Sequence, residues 1–338
     1  LKIANEQCEE MIFSVQCIKQ YGYSNTRNIT YGNRCTAGSM WNNYLPNPHF
    51  VESFETATGE KFNWDNYLPG YSAMKEKERV VFFLRDGLSA AEKERMTAYG
   101  ADMSKYLDSG NEARIKKAYE SRDPRLQMAV ITPYAQYNGA SSGIAHTYTL
   151  RWPYRGSDSA EPFDIRTDTN DKFYYLWRKF VPEGLEQTER DTYGLDIPLI
   201  RYAEVLLLKA EALNEWGSTH ESEAIRCVNE VRRRAGHVEL NNATYPATKV
   251  NGQSDLRERI RNEYYWEIGG EDSMYFHELR WGTWKDKKFD NNRNGLMQMW
   301  GETTYTWYWL GDQCWSWPIP AKEMEMNSNL EQNEGWIN

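Results

Sequence analysis

Residues 199–236, LIRYAEVLLLKAEALNEWGSTHESEAIRCVNEVRRRAG, constrain the fold most, because their apolar residues repeat with a helical period twice in succession. Ala203, Leu206, Leu207, Ala210 and Leu213 form one stripe on a 3.6-residue helix. Gly217 ends that helix and Ser218 and Thr219 offer caps. Ala224, Cys227, Val228, Val231 and Ala235 then draw a second stripe, which closes at Gly236. The pair reads as an antiparallel hairpin whose alanines permit close approach, as in a tetratricopeptide-type unit. One such unit cannot bury its apolar faces alone, and at least three are normally stacked. No second copy recurs at a fixed period. The hairpin must therefore pack against non-repeat parts of this chain or against helices outside it.

A chain of 338 residues can hold one large domain or two ordinary ones and bury roughly 75% of its unfolded surface. Its 14 Trp and 23 Tyr sit in a sequence of mean hydropathy −0.82, so not every ring can be core. A net charge of −9 opposes a phosphate backbone or an anionic leaflet as the main partner, which excludes nucleic acid and favours a neutral ligand. No run of eighteen apolar residues exists to span a membrane, and the start LKIANEQC has neither Met nor a signal-peptide pattern. Five cysteines without C-x-x-C argue against zinc and against a full disulfide framework, leaving buried free thiols as the expectation.

Along the chain, Met11, Phe13 and Val15 alternate with Ile12, Ser14 and Gln16, predicting a strand with one apolar face. Residues 20–70 form a long loop rich in Gly, Asn, Pro, Tyr and Trp. Ser89 and Glu92 make a capping box for a helix through about Tyr99, and a second helix over 110–121 stops at Asp123-Pro124. Residues 126–131 and 173–181 read as strands separated by a loop over 133–158. A helix is expected over 256–268, a helical turn over 277–281, an aromatic loop over 284–311, and an extended tail fixed by Pro318 and Pro320. The fold class expected is mainly α with small β elements and long loops.

Six ordered blocks resemble one family. EEMIFSVQ (9–16), SRDPRLQMAVI (121–131) and YYLWRKFVPEG (174–184) precede the hairpin signature RYAEVLLLKAEALNE and AIRCVNEVRRRAG, and RIRNEYYWEIGGEDSMYFHELRWG (259–282) and WPIPAKEMEMNSNLEQNEGW (317–336) follow it. Together they resemble the SusD/RagB family, surface glycan-binding lipoproteins of Bacteroidetes nutrient-uptake systems. The resemblance implies an α-α superhelix class, with a tetratricopeptide-like hairpin on a loop-rich body, and makes 1–338 a single region. It also implies helical repeats and a lipid anchor upstream of this sequence, at the outer-membrane cell surface. The implied activity is non-catalytic binding of oligosaccharide or polysaccharide, without a cofactor, and delivery to a SusC-like TonB-dependent transporter. Cys8 is not the lipidated residue, because Asn5, Glu6 and Gln7 precede it where small residues are needed.

Sugars offer apolar C–H faces that stack on flat rings and hydroxyl rims that suit amides. Trp41, Asn42, Asn43 and Tyr44, with Trp64, Asn66 and Tyr67, have that chemistry, and the resemblance places ligand contacts in loops shortly after the EEMIFSVQ-like strand. A second aromatic group, Trp300, Trp307, Tyr308 and Trp309, lies between structural blocks. Packing is expected to claim most of it, with Trp307 kept as a candidate contact and Trp307 and Trp309 sharing one face. Glu204 and Glu211, two turns apart, could mimic a glycosidase pair, but they fall in the packing face, where Arg201, Arg232 or Arg261 would satisfy them. Arg261, Glu263, Glu267, Arg280 and Trp281 match the family's closing motif, which implies that they hold the C-terminal tail. Asp290 to Gly295 begins like an EF-hand loop, yet position twelve is Gly301 rather than a carboxylate; Asp168, Asn170 and Asp171 make a weaker version, and no metal is expected. The alternative to glycan binding is a helical-repeat scaffold for protein or a peptide-derived nutrient; a glycosidase ranks below both.

Overall fold

The computed structural model describes residues 3–36, 40–141, 143–155, 161, 163–165, 172–186, 190, 192–289 and 295–337. They divide into two units, Leu1–Glu271 with Met297–Glu302, and Asp272–Leu296 with Thr303–Asn338. In the first unit, strand β1 (Met11–Val15) precedes helices α1 (Arg27–Tyr31) and α2 (Pro48–Ser53), both inside the stretch expected as loop. Neither is long enough for a hydrophobic period to register. Helix α2 starts instead on a cap: the Asn47 side chain accepts from His49 N at 2.9 Å, and Pro48 takes the first helical position. Helix α3 (Glu76–Arg79) leads to α4 (Ala90–Tyr99), which opens on the expected capping box, with Glu92 N donating to Ser89 Oγ at 3.3 Å. Helix α5 (Asn111–Glu120) also lies where the sequence places it.

The strand expected over 126–131 is a helix for most of its length. Helix α6 (Pro124–Ala129) leaves only β2 (Val130–Ile131) extended. The Asp-Pro pair that reads as a stop is a start: Asp123 Oδ1 accepts from Arg125 N at 2.9 Å, with Pro124 first in the helix. The loop expected over 133–158 contains a hairpin, β3 (Gln136–Ser141) and β4 (Ile144–Thr149), in which Tyr137 opposes Tyr148. Its Gly, Ala, Ser and Thr residues carry no apolar alternation, and those two buried tyrosines supply the anchoring. Of the strand expected over 173–181, only β5 (Leu176–Trp177) pairs, antiparallel to β2.

Strand β6 (Ile197–Arg201) pairs antiparallel with β1 and runs directly into α7 (Tyr202–Trp216). Helix α8 (Glu221–Ala235) returns against it, and α9 (Gln253–Ile268) packs on the pair. The predicted stripes are the buried ones: Ala203, Leu207, Ala210, Ala224, Cys227 and Val228 all face inward. Gly236, at φ +73°, closes α8 with its N–H on the Arg232 and Arg233 carbonyls. Ser218 and Thr219 do not cap α8; they sit in a 3-10 turn, and the capping position is His220 with no side-chain bond. The apolar face expected for β1 does not turn into a core either. Ile12, Phe13 and Val15 are exposed, as are Leu199, Ile200, Tyr202, Val205, Leu208 and Trp216 on β6 and α7.

The first unit's core gathers Phe54, Trp64, Phe83, Tyr119, Tyr175, Trp266 and Trp300. Helix α9 adds buried charge: Glu263 receives Arg125 at 2.6 Å and Arg232 at 3.3 Å, while Glu267 receives Arg201 at 3.0 Å and Arg234 at 2.5 Å. Arg201 also holds Glu271 at 2.7 Å and Glu10 at 2.6 Å. Arg201 and Arg232 thus each bridge carboxylates of other elements. In the second unit, α10 (Ser273–Arg280) and α11 (Trp284–Phe289) precede α12 (Ala321–Met326), a helix where an extended tail was expected. Pro320 fixes the residue ahead of that helix and leaves the helix itself unhindered. All five cysteines are free thiols, with Cys35 and Cys227 buried.

Candidate functional site

Helix α1 starts where the Asn25 side chain accepts from Arg27 N at 3.0 Å, and it ends after one turn at Gly32. A Cβ at Gly32 would sit 2.5 Å from Asn28 O and 2.7 Å from Met40 Cγ, so the absence of a side chain lets the chain fold back over its own helix. On the return, Trp41 N donates to Ile29 O at 2.8 Å, and Asn43 N and Tyr44 N donate to Thr30 O at 2.8 and 3.0 Å. These bonds use carbonyls that a helix end leaves open. Asn42 takes the left-handed conformation, φ +58°, which asparagine tolerates better than most residues.

This clamp sorts the side chains. Asn42 is buried, whereas Trp41 and Tyr44 are 48% and 59% exposed and Asn43 is exposed between them. Tyr31 lies 5.6 Å from the Tyr44 ring and is itself wedged against Trp177 and Phe180, with its hydroxyl donating to Gly270 O at 3.0 Å. The Arg190 guanidinium stands 5.1 Å over the Trp41 ring, and the Arg190 carbonyl accepts from Asn28 Nδ2 at 3.2 Å. Among the described residues Asn28 Oδ1 and Asn42 Oδ1 are buried acceptors without a donor. The result is a fixed loop presenting two rings, an amide and a cation. Sequence reasoning named the rings and the amides, but not Arg190 or Tyr31, which carry no motif and meet the loop only through long-range contacts.

Trp64, Asn66 and Tyr67 behave differently. Asn63 caps their 3-10 turn by accepting from Asp65 N at 2.9 Å, which turns Trp64 inward. Its ring is 6% exposed, stacked 4.8 Å from Tyr71, and its Nε1 donates to Glu52 at 2.7 Å. Trp64 is therefore core, and its ring is out of a ligand's reach. Tyr67 is half-buried on Phe62, with its hydroxyl 2.6 Å from Ser121 Oγ, and Asn66 alone of the three is exposed. Trp300 is fully buried, its Nε1 donating to Glu302 at 2.9 Å.

Trp307 belongs to the second unit, where it is 41% exposed and Tyr308 is 75% exposed. Trp309 is half-buried in a cluster with Trp284, Phe289 and Trp315 at 5.3–5.5 Å, donating to Asp312 at 3.1 Å. It anchors this segment rather than sharing a platform with Trp307. The calcium-like residues 290–294, and Asp168, Asn170 and Asp171, lie outside the described residues.

Two concavities lie apart from the Trp41 loop. A cleft of about 820 Å³ is lined by residues of α5 and α6 and by segments flanking the β3–β4 hairpin, among them Glu112, Gln127, Tyr134 and Arg151. A groove of about 700 Å³ beside β1 holds Glu6 and Asp196. Burial pushes the Glu6 carboxyl up, partly offset by the Asp196 N–H that it accepts at 2.6 Å. The buried carboxylates of the ion-pair network are held the other way. Burial opposes the charge on Glu267, but Arg201, Arg234 and Arg125 outweigh it and keep the group well below the usual carboxylate range. Glu55 is lowered against burial by His237 and Arg232, and Asp123 by Arg125. Such groups stay ionised and cross-link helices.

Comparison with known proteins agrees with this architecture. Over 139 residues the chain is 32% identical to a SusD-like protein, P38, of Formosa agariphila, covering 41% of this chain and 24% of that one. Over 161 residues it is 28% identical to the starch-binding protein SusD of Bacteroides thetaiotaomicron, covering 47% and 25%. A solved SusD-like protein from Bacteroides fragilis superposes with a TM-score of 0.59 at 20% identity, covering 98% of this chain and 55% of that one. The chain thus spans only part of the length of each of these three proteins. The family model described as the SusD family matches residues 9–336, nearly the whole sequence, and the chain belongs to that family.

Proposed function

We propose that this chain binds oligosaccharide without transforming it, at the bacterial outer-membrane surface, and hands it to a TonB-dependent transporter. The observation that carries the reading is the clamped loop at 40–44, which holds Trp41 and Tyr44 outward with Asn43 between them. Rings fixed before the ligand arrives lose little entropy on binding, and they stack on the C–H faces of a sugar while amides meet its hydroxyls. A 28% identical relative carries the name starch-binding protein. Among the described residues no helix is long and apolar enough to cross a membrane.

Calorimetric titration with starch, plant and host oligosaccharides tests the reading. A shallow site implies binding of about −4 to −8 kcal/mol, micromolar to millimolar. Trp41→Ala and Tyr44→Ala should each weaken it by about tenfold, the scale of one lost ring contact. Unchanged heats in both variants would remove this loop as the site. Capture of the cognate barrel by the intact protein tests delivery, and sugar binding without capture would refute that step.

The exposed apolar stripe Tyr202, Val205, Leu208 and Trp216 supports a second role, packing against further helical polypeptide. Val205→Ser with Leu208→Ser should leave the stability of this chain within about 0.5 kcal/mol, as expected for surface positions. A larger loss would mean that the face is already covered.

A further inference from the structure

We propose that the Trp41 site takes an acidic saccharide, one whose carboxylate or sulfate ester seats against Arg190. This rests on the glycan-binding reading of the same loop and names its substrate class. Most arginines of the first unit that are buried or half-buried are tied to carboxylates, as Arg125, Arg151, Arg155, Arg201, Arg232 and Arg259 are. Arg190 is not. Among the described residues its guanidinium has a single contact, the Trp41 ring at 5.1 Å, and its buried Nε has no acceptor. Its sequence neighbours Glu189 and Asp191 lie outside the described residues.

A guanidinium lying over a ring keeps its N–H donors in its own plane, and the terminal amino groups match the two oxygens of a carboxylate or sulfate in fork geometry. The ring beneath holds the cation in place, so little rotamer entropy remains to be lost on binding. Trp41 and Tyr44 supply the stacking surface for the sugar ring, and Asn43 a hydroxyl partner. The chain's net charge of −9 does not oppose this arrangement at short range. Repulsion from distant carboxylates is screened over about 8–10 Å at physiological ionic strength, whereas a contact ion pair is not.

Two matched ligand pairs test the proposal: oligogalacturonate against its methyl ester, and a sulfated galactan oligosaccharide against its desulfated form. Within each pair the sugar is constant and the charge is removed. The acidic member of at least one pair should bind about ten- to a hundredfold tighter, as expected for a charge-assisted hydrogen bond, and the preference should shrink with added salt. The pair that shows it tells carboxylate from sulfate. Arg190→Gln should abolish the preference, so that the two members of a pair bind alike, and Arg190→Lys should retain part of it. An unchanged melting temperature in Arg190→Gln confirms that the fold is intact. Equal affinities within both pairs, or a preference that survives Arg190→Gln, overturns the acidic class while the glycan reading stands. If no charged or neutral sugar binds at all, the glycan reading itself fails.

Discussion

Replacing Glu267 by Gln removes one charge from the interior of the first unit and leaves the shape of the side chain in place. Glu267 is 5% exposed and receives Arg201 at 3.0 Å, Arg234 at 2.5 Å and Arg125 at 3.4 Å. Removing one partner of a buried ion pair costs about 3–5 kcal/mol, because the remaining charge is left in a poor solvent. Here the lower end applies. Arg234 is half exposed and keeps water, Arg125 retains Asp123 and Glu263, and Arg201 retains Glu10 and Glu271. A loss of about 3 kcal/mol, divided by an unfolding entropy of about 2.1 cal/mol/K per residue over 338 residues, lowers Tm by about 4 °C. Urea unfolding followed by tryptophan fluorescence should show a shifted midpoint at unchanged slope. A loss below about 1 kcal/mol would refute the claim that this network ties the helices to the body of the unit.

The same network predicts the response to acid. Glu55, Asp123, Glu267 and Glu271 all have folded values held below their unfolded ones, so their contribution is complete above the unfolded carboxylate range, about pH 4 to 4.5, and is lost as pH falls through the folded values. Stability should therefore fall below about pH 4.5, and less steeply in Glu267→Gln; equal slopes would count against the assignment. Gly32→Ala drives a methyl group toward Asn28 O and Met40, and should cost about 1–3 kcal/mol and raise proteolysis within 33–44; a variant as stable as the parent would contradict the close approach described at α1. Trp64→Ala opens a hole in the core and should cost about 3–5 kcal/mol, whereas Trp41→Ala should cost under about 1 kcal/mol, a contrast that thermal unfolding reads directly.

What the sequence made legible follows from local physics. Helices α7, α8 and α9 are long enough for a 3.6-residue period to show, and α4 begins on a capping box that needs only neighbouring residues. Helix α6 is hidden in the sequence because Asp-Pro both ends and begins helices, and only the Asp123 bond to Arg125 N settles which. The β3–β4 hairpin is too poor in large apolar residues to alternate. The candidate site divides along the same line. Trp41 and Trp64 look alike in sequence, each beside an asparagine or aspartate, and differ only in what meets them from afar: Tyr71 and Glu52 bury one ring, whereas Arg190 lies over the other and leaves it half open. Arg190 was invisible because its partner is remote in the chain and no local pattern marks an arginine that lacks a carboxylate. The exposed face of β1 was unreadable for the converse reason, since alternation predicts an apolar side and not what covers it.

The measurement that bears most directly on function is a calorimetric comparison of the parent chain, Trp41→Ala and Trp64→Ala against the oligosaccharide that the panel identifies, with each variant shown to be folded at the working temperature. The account predicts that Trp41→Ala loses about tenfold or more in affinity, while Trp64→Ala, whose ring is enclosed, binds as the parent does. The reverse order, or parent-like affinity in Trp41→Ala, would contradict the assignment of the clamped loop at 40–44 as the sugar-binding surface.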